Sequence, residues 1–155
     1  MSRPIIYLDI DGVLNSHRNR DSIGPIVEDD TGQHAPRIDP RNAEPLQWLL
    51  QESGAAVVLS SAWRLHRDVD ELAEWLHQNG LTGIEIVDQT GPEGPSRYSE
   101  IKDHVDELEP ATPWVAIDDD PSVGRLRHRV VTDEAFGLTW RGAEKALAIL
   151  QAQES

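Results

Sequence analysis

Cysteine is absent from the 155 residues of this sequence, which excludes disulfide bonds, thiolate metal sites and a cysteine nucleophile. The absence is compatible with a reducing compartment, so we expect a cytoplasmic protein. No apolar run approaches the roughly 20 residues that a membrane-spanning helix needs, and we therefore expect no membrane span. The N-terminus enters an apolar segment without a basic and apolar leader, so we expect no secretion signal.

Basic residues are scarce. The sequence has 14 lysines and arginines against 28 aspartates and glutamates, giving a net charge of −14. Binding along a nucleic-acid backbone depends on basic side chains that neutralise phosphates, so this charge argues against extensive duplex binding. It leaves open a contact with one phosphorylated end, and it is compatible with hard cations such as Mg²⁺.

The length fits a single domain over residues 1–155. Short β-branched runs alternate with helical patterns, which indicates an α/β fold. Several of the runs are almost continuously apolar, as expected for a parallel sheet covered on both faces. The predicted strands are Ile5–Ile10, Ala55–Leu59, Ile84–Val87, Trp114–Ile117 and Arg129–Thr132.

The helical segments have recognisable ends, with cap residues before them and glycine or proline after them. Two connections are expected to be irregular: the long segment 15–39 and the shorter segment 89–96. Long loops in compact domains are usually functional or disordered. The predicted helices are one capped by Asn42 and reaching Ser53, one opened by Asp68 and Glu71 and ending before Gly80, Arg97 to about Leu108, a short turn at Asp120–Pro121, and roughly Arg141–Gln153.

Two carboxylates follow the first strand, at Asp9 and Asp11, and Gly12 comes directly after them. Side chains two apart on a strand point to the same face, so the two carboxylates should project together. Like charges this close repel unless a cation lies between them. The spacing suggests a divalent metal with one carboxylate left for chemistry, although a solvated turn has the same composition.

Three further groups follow strands or open a helix on the same edge of the predicted sheet, where ligands of α/β proteins bind. Ser60 and Ser61 could hold a phosphate, or could be loop residues. The acidic run 118–120 could bind a metal, or could form a turn or helix cap. Arg97, with Lys102 a turn later, could be a phosphate-binding cation or a solvated charge.

Together these groups supply metal ligands, a nucleophile, hydroxyl donors and a cation, which are the requirements of phosphoryl transfer. A phosphoacceptor signalling module would use similar groups, but with adjacent acids after its first strand and its acceptor on a middle strand. A non-catalytic binding domain on the same scaffold is a third interpretation; loss of Asp9 or Asp11 would mark it, and both are present.

The order of these motifs resembles the haloacid-dehalogenase-like (HAD) phosphatase superfamily, whose motifs run DxDG(T/V), a strand ending in Ser or Thr, a Lys or Arg, and paired acids after another strand. The matching residues are Asp9–Val13, Ser60, Arg97 and Asp118–Asp119. The stretches Val57–Arg64 and Gly137–Thr139 look like the small HAD domains of "Swiss army knife" RNA-repair proteins.

The resemblance implies a Rossmann-like three-layer sandwich, with a mostly parallel five-stranded sheet between helices. It also implies a Mg²⁺-dependent phosphomonoesterase that acts through an aspartyl-phosphate. Asp9 would be the nucleophile and Asp11 the general acid and base. The remaining roles would fall to Asp9, the Asp11 backbone carbonyl, Asp118 and Asp119 as metal ligands, Ser60 and Ser61 as phosphate-binding residues, and Arg97 as the stabilising cation.

Some features depart from the family pattern or leave alternatives. The cation of this family is more often lysine, which keeps Lys102 as an alternative to Arg97. Segment 15–39 occupies the position of a mobile cap but is too short for a separate cap domain, so the site should be open. Substrates would be phosphorylated small molecules, nucleotides or nucleic-acid ends. Weak substrate-contact candidates, each also readable as a solvated or packed residue, are His17, Arg18, Arg20, Trp63 and Arg64.

Overall fold

The structure is a computed structural model that describes residues 2–16, 27–28, 34–35, 38–60, 68–91 and 94–154. Its elements, numbered along the chain, are the strands β1 (Ile5–Leu8), β2 (Val27–Glu28), β3 (His34–Ala35), β4 (Ala56–Leu59), β5 (Ile86–Gln89), β6 (Trp114–Asp118) and β7 (Arg129–Val131), and the helices α1 (Pro40–Ser53), α2 (Val69–Gln78), α3 (Arg97–Asp106) and α4 (Trp140–Gln153). A 3₁₀ turn spans Pro121–Arg125.

Five strands form one sheet in the order β5-β4-β1-β6-β7, and every neighbouring pair is parallel. The α/β fold and the parallel five-stranded sheet are therefore confirmed. β1 lies at the centre and pairs with β4 on one side and β6 on the other. This central strand brings the first motif of the sequence beside motifs that follow it much later.

Alternate residues of the central strands face two separate cores. One face carries Ile6 and Leu8 and packs with buried residues of α1, α2 and α4. The other carries Ile5 and Tyr7 and packs with Ile101 of α3 and with the 3₁₀ turn. Because both faces are covered, β1 and β4 are hydrophobic and buried at every position, as expected for central strands of a parallel sheet between helices.

Several predicted boundaries are wrong by a few residues. β1 ends at Leu8 rather than Ile10, because the chain turns after it. β5 is shifted toward its C-terminus, since its pairing with β4 changes register between Val57 and Val58. Asn42 is not the cap of α1: Asp39 is, and its carboxylate accepts from the Arg41 N–H. Asn42 is instead buried inside the helix.

The connection between β1 and α1 was predicted to be irregular, but its described part contains the short antiparallel pair β2–β3. These strands are two residues long each, and the described part of this connection contains no cap domain. None of the described helices has the length and apolar character that crossing a membrane requires.

A polar link, buried at Tyr7 and exposed at Asp88, joins β1 to α3 and β5. The Tyr7 hydroxyl lies 2.8 Å from Nδ1 of His104, and Nε2 of His104 lies 2.8 Å from an Asp88 oxygen. Burial raises the pKa of Tyr7, with a smaller contribution from Asp88. The link satisfies a hydroxyl that would otherwise be stranded in the core, and it anchors α3 beside the central strand.

Candidate active site

The register of the sheet places several predicted site residues side by side at the carboxyl ends of its strands. Leu8 pairs with Leu59 and Ile117, so the residues that follow them are neighbours: Asp9 lies between Ser60 and Asp118. Two hydrogen bonds continue the pairing beyond β1, from the Ser60 N–H to the Leu8 carbonyl and from the Asp9 N–H to the Ile117 carbonyl. Since Asp9 is two residues after Tyr7, it belongs to the α3 face of the sheet.

Three carboxylates converge at this edge. One oxygen from each of Asp9, Asp118 and Asp119 lies within 4.8 Å of the others. Asp9 and Asp118 are buried and Asp119 is half-buried. Burying acidic groups close together is unfavourable without a compensating cation. These carboxyls must therefore be protonated or lie beside a positive charge.

The acidity of the cluster reflects this crowding. Burial and then the neighbouring Asp118 charge raise the pKa of Asp9 to about 9, against the lowering effect of Arg97. Burial also raises the pKa of Asp118 to about 6. At neutral pH the raised pKa of Asp9 therefore favours its protonated form, and a cation beside the carboxyl would favour its ionised form instead.

Arg97 is the cation that the structure brings to the cluster. It opens α3, where Ser96 and Ser99 cap the helix, and its Nη1 and Nε lie 3.9 Å from Asp9 and 3.7 Å from Asp118. Lys102 is exposed, and its Nζ lies 6.0 Å from the Tyr98 ring centroid. Of the two candidates, Arg97 has the position of a group that contacts the cluster.

The turn after Asp9 separates the two acids of the first motif. Because β1 ends at Leu8, the alternation of a strand does not extend to Asp11, and its carboxylate stands outside the three-carboxylate cluster. Asp11 is exposed, and one of its oxygens accepts from the Asn15 side-chain amide at 3.1 Å. Asn15 also accepts from the Gly12 N–H at 3.0 Å, so it holds the turn and the carboxylate together.

Gly12 is required where it lies. Its φ of +78° is in the left-handed region, and a Cβ on its backbone would stand 2.1 Å from an Asp119 oxygen. The carbonyl of Gly12 accepts from the Thr132 hydroxyl, and that of Val13 accepts from the Leu138 N–H. Two residues that follow β7 thus hold the turn by hydrogen bonds, and Asp119 occupies the space beside it.

The donor set fits a divalent cation of the hard type. Its ligands would be carboxylate oxygens, which Mg²⁺ prefers. Oδ2 of Asp118 is buried and has no hydrogen-bond partner among the described residues, as expected for an atom that a metal would engage. The missing Cβ of Gly12 leaves room for Asp119 to join it. These observations fit Mg²⁺ held by the three carboxylates.

Sequence reasoning missed two residues of this edge. Thr90 follows Gln89, the partner of Leu59, and so lies beside Ser60; both are buried. Asn15 was placed in an irregular loop, although it is buried against the turn. An amide or hydroxyl near a strand end was the available signal, but short polar residues are common in loops and carry little information alone.

Two of the remaining candidates, Asp120 and Ser60, lie among the described residues. Asp120 is the cap of the 3₁₀ turn, as predicted: its carboxylate accepts from the Ser122 N–H at 2.8 Å. Ser60 is fully buried beside Asp9. The remaining predicted residues, Ser61, His17, Arg18, Arg20, Trp63 and Arg64, lie outside the described residues.

Comparison with known proteins gives a family match and structural likenesses. The model of the HAD domain in Swiss Army Knife RNA repair proteins matches residues 5–143. No curated protein matches the chain. A hypothetical protein from Xanthomonas campestris is 17% identical, with a TM-score of 0.49 over 97% of this chain and 84% of that one. The 3-deoxy-D-manno-octulosonate 8-phosphate phosphatase from Moraxella catarrhalis, solved with magnesium, phosphate and KDO, is 14% identical, with a TM-score of 0.49 over 98% and 89%.

The family match begins at the first residue of β1 and ends in the first turn of α4, so it spans every strand of the sheet and every described site residue. It also contains the four motifs in the order found along the sequence. This chain therefore belongs to the HAD superfamily, in the family of HAD domains of Swiss Army Knife RNA repair proteins.

Proposed function

We propose that this protein is a Mg²⁺-dependent phosphomonoesterase that acts through an aspartyl-phosphate on Asp9, and that residues 1–155 form one catalytic domain. The observation that carries the proposal is the cluster of Asp9, Asp118 and Asp119 within 4.8 Å, with Arg97 against two of its members. Membership of a superfamily of phosphatase-type enzymes supports the reaction class. The cytoplasmic location stays a prediction.

Asp9 is the proposed nucleophile. Its carboxylate attacks phosphorus and forms the new P–O bond as the bond to the leaving oxygen breaks. Arg97, within 4 Å of Asp9 and Asp118, favours the ionised nucleophile and the charge on the phosphoryl oxygens. Ser60, buried beside Asp9, and Ser61 donate to those oxygens. Asp9, the Asp11 carbonyl, Asp118 and Asp119 would hold Mg²⁺, which when bound would neutralise charge on the phosphoryl group.

Asp11 is the proposed general acid and base. It protonates the leaving oxygen in the first step, then takes a proton from the water that attacks the phosphoaspartate, which releases phosphate and restores Asp9. Its exposed position, outside the buried cluster, suits exchange with solvent and with a leaving group. Asn15 is the proposed positioning residue, because its amide binds the Asp11 carboxylate.

The proposed substrate class rests on the shortness of segment 15–39, which is too short for a separate cap domain, and on the charge of the chain. The described part of the cap position holds only the short β2–β3 pair, which supports access for phosphorylated small molecules, nucleotides or nucleic-acid ends. The net charge of −14 argues against extensive duplex binding.

The test is release of phosphate from an aryl phosphate with and without Mg²⁺. We expect Mg²⁺-dependent release that Asp9→Asn abolishes and that the matched surface variant Asp103→Asn leaves unchanged. Asp11→Asn should accumulate a phosphorylated protein, detected by intact mass, because an aryl leaving group needs little protonation whereas hydrolysis still needs a base. Release that persists in Asp9→Asn would exclude Asp9 as the nucleophile.

A further inference from the structure

Two exposed aromatic side chains lie together near the carboxyl end of β7. Among the described residues the large hydrophobic side chains that are exposed are Val87, Val131, Phe136 and Trp140. The last three lie at the end of β7 or just after it. Scattered exposed hydrophobics need no explanation, but a cluster of them indicates a binding surface.

Phe136 and Trp140 line a cleft of about 260 Å³ together with Arg41, Asn42 and Glu44 at the start of α1. We call it the aromatic cleft. It lies at the same edge of the sheet as the three carboxylates, since its residues follow β7 or begin α1, but on the face of the sheet that α1 and α4 cover. Its volume is below the roughly 300–1,000 Å³ of sites that enclose a whole small molecule, and suits one planar ring.

Hydrogen bonds join the aromatic cleft to the turn that carries Asp11. Asn42 donates to the carbonyls of Phe136 at 2.9 Å and Leu138 at 2.8 Å. Leu138 in turn donates its N–H to the carbonyl of Val13, in the turn that carries Asp11. Trp140 packs edge-on against Trp48, with ring centroids 6.0 Å apart. The backbone at Phe136 and the ring of Trp140 are therefore both fixed by contacts, which lowers the entropic cost of binding a ligand there.

Charged groups at the aromatic cleft fit a ligand with both a ring and polar edges. The Arg41 guanidinium is held by the buried Asp39 carboxylate, with Nε 3.1 Å from both oxygens, yet about half of the Arg41 side chain is exposed. Glu44 supplies an acceptor on the same rim. β7 lies two strands from β1, or roughly 10 Å at the usual strand spacing.

Resting on the proposed phosphatase function, we infer that the aromatic cleft is a base-binding subsite, in which Phe136 and Trp140 stack on a nucleobase of a phosphorylated oligonucleotide end whose terminal phosphate lies at Asp9. Stacking recognises a base through its ring face and needs no basic groove along the backbone. The subsite therefore reconciles a nucleic-acid end as substrate with a strongly acidic protein.

The experiment compares two trinucleotides with a terminal phosphate, at the 5′ end and at the 3′ end in separate series. One carries its bases and the other is abasic, so that length and charge are the same. Dissociation constants are measured on Asp11→Asn protein with Mg²⁺, where turnover is blocked, and hydrolysis is measured on the native protein. The variants are Phe136→Ala, Trp140→Ala and, as the matched control, Val87→Ser, which removes an exposed hydrophobic on β5.

We expect the base-bearing trinucleotide to bind roughly 5- to 150-fold more tightly than the abasic one, the range for stacking of one base. The ratio should fall toward one in Phe136→Ala and in Trp140→Ala, and should stay unchanged in Val87→Ser. Thermal melting of each variant tests whether it is folded. If Trp140→Ala does not fold, Phe136→Ala alone tests the subsite.

Three results would overturn the inference, and they separate it from the proposed function. If the two trinucleotides bind equally tightly and both are hydrolysed, the base-binding subsite is rejected while the proposed phosphatase function is supported. Hydrolysis of aryl phosphate without binding of either trinucleotide assigns the site to small molecules. A base preference that both cleft variants retain places the base elsewhere and leaves the exposed rings to a protein partner.

Discussion

At the scale of single residues, the three-carboxylate cluster depends on the lack of a Cβ atom at Gly12. Gly12 has a backbone that disfavours other residues, and Asp119 fills the space where its Cβ would be. The Asp119 carboxylate thus packs against the backbone of the turn at Gly12. The first motif, which contains Gly12, and the last motif, which contains Asp119, therefore constrain each other. The requirement for glycine here is steric as well as conformational.

We predict that Gly12→Ala displaces the Asp119 carboxylate and weakens Mg²⁺ binding, with kcat lowered on the order of 100-fold, as is typical of misplacement by about 1 Å. Calorimetric titration with Mg²⁺ and steady-state kinetics would measure both effects. The matched control is Gly54→Ala, which has a similar φ of +65° but no atom within 4 Å of the added Cβ. Equal losses in the two variants would mean that backbone strain alone is responsible.

The site residues that could be predicted from the sequence are those that come at the end of a strand, because the strand fixes their position. Asp9, Ser60 and Asp118 could be anticipated because each follows an apolar run, and the register then sets them side by side. Asn15 could not, since its place depends on hydrogen bonds of a turn that follows no period. Roles for these residues in catalysis stay predictions.

At the scale of elements, one buried amide joins the start of α1 to the segment before α4. Asn42 donates to two carbonyls of that segment, and Gly137 between them adopts a positive φ where a Cβ would meet the Asn42 side chain. Asn42 was expected to cap the helix, a role that asparagine often has. Asp39 takes that role, because the chain turns into the helix three residues earlier than predicted.

Asn42→Ala should lower the free energy of unfolding by about 2–4 kcal/mol, because two carbonyls, at least one of them buried, lose their donors. Urea denaturation would measure the change. Asn79→Ala is the matched control: it removes one amide-to-carbonyl bond at the end of α2, in a partly exposed place, and should cost less than about 1 kcal/mol. Similar losses in both variants would argue against a clamp at Asn42.

The elements themselves were largely predictable, and their boundaries less so. All five strands of the parallel sheet and the four long helices were predicted from apolar runs and cap residues. The shift of β5 arises from an irregular pairing with β4, which is a tertiary effect without a local signal. The β2–β3 pair was missed because strands of two residues have no detectable alternation.

At the scale of the whole molecule, the buried acids make stability depend on pH. Asp9 has an ordinary pKa of 3.8 and one of about 9 in the folded, metal-free protein. Between these values the folded state binds more protons than the unfolded state, so the free energy of unfolding contributed by Asp9 falls as pH rises. Asp118, with a pKa of about 6, acts in the same direction over a narrower range.

We predict that metal-free protein loses stability as pH is raised from about 4 toward about 9. Urea denaturation in the presence of a chelator, at several pH values in this window, would measure the slope. Asp9→Asn should make the slope shallower, and saturating Mg²⁺ should remove much of it, because a cation favours the ionised carboxylates. A slope that Asp9→Asn leaves unaltered would assign the pH dependence to other groups.

The central place of β1 has a consequence for how the chain is made. Ile5 pairs with Ala56 on one side and with Trp114 on the other, so β1 is synthesised before β4 and long before β6. Contacts between residues this far apart in sequence form slowly. Until β6 leaves the ribosome, one edge of an apolar strand stays uncovered and Asp9 lacks the partners with which it would bind a metal. A nascent chain that stalls before residue 114 therefore exposes an unpaired edge of β1, which favours aggregation, and it lacks Asp118 and Asp119, which complete the three-carboxylate cluster.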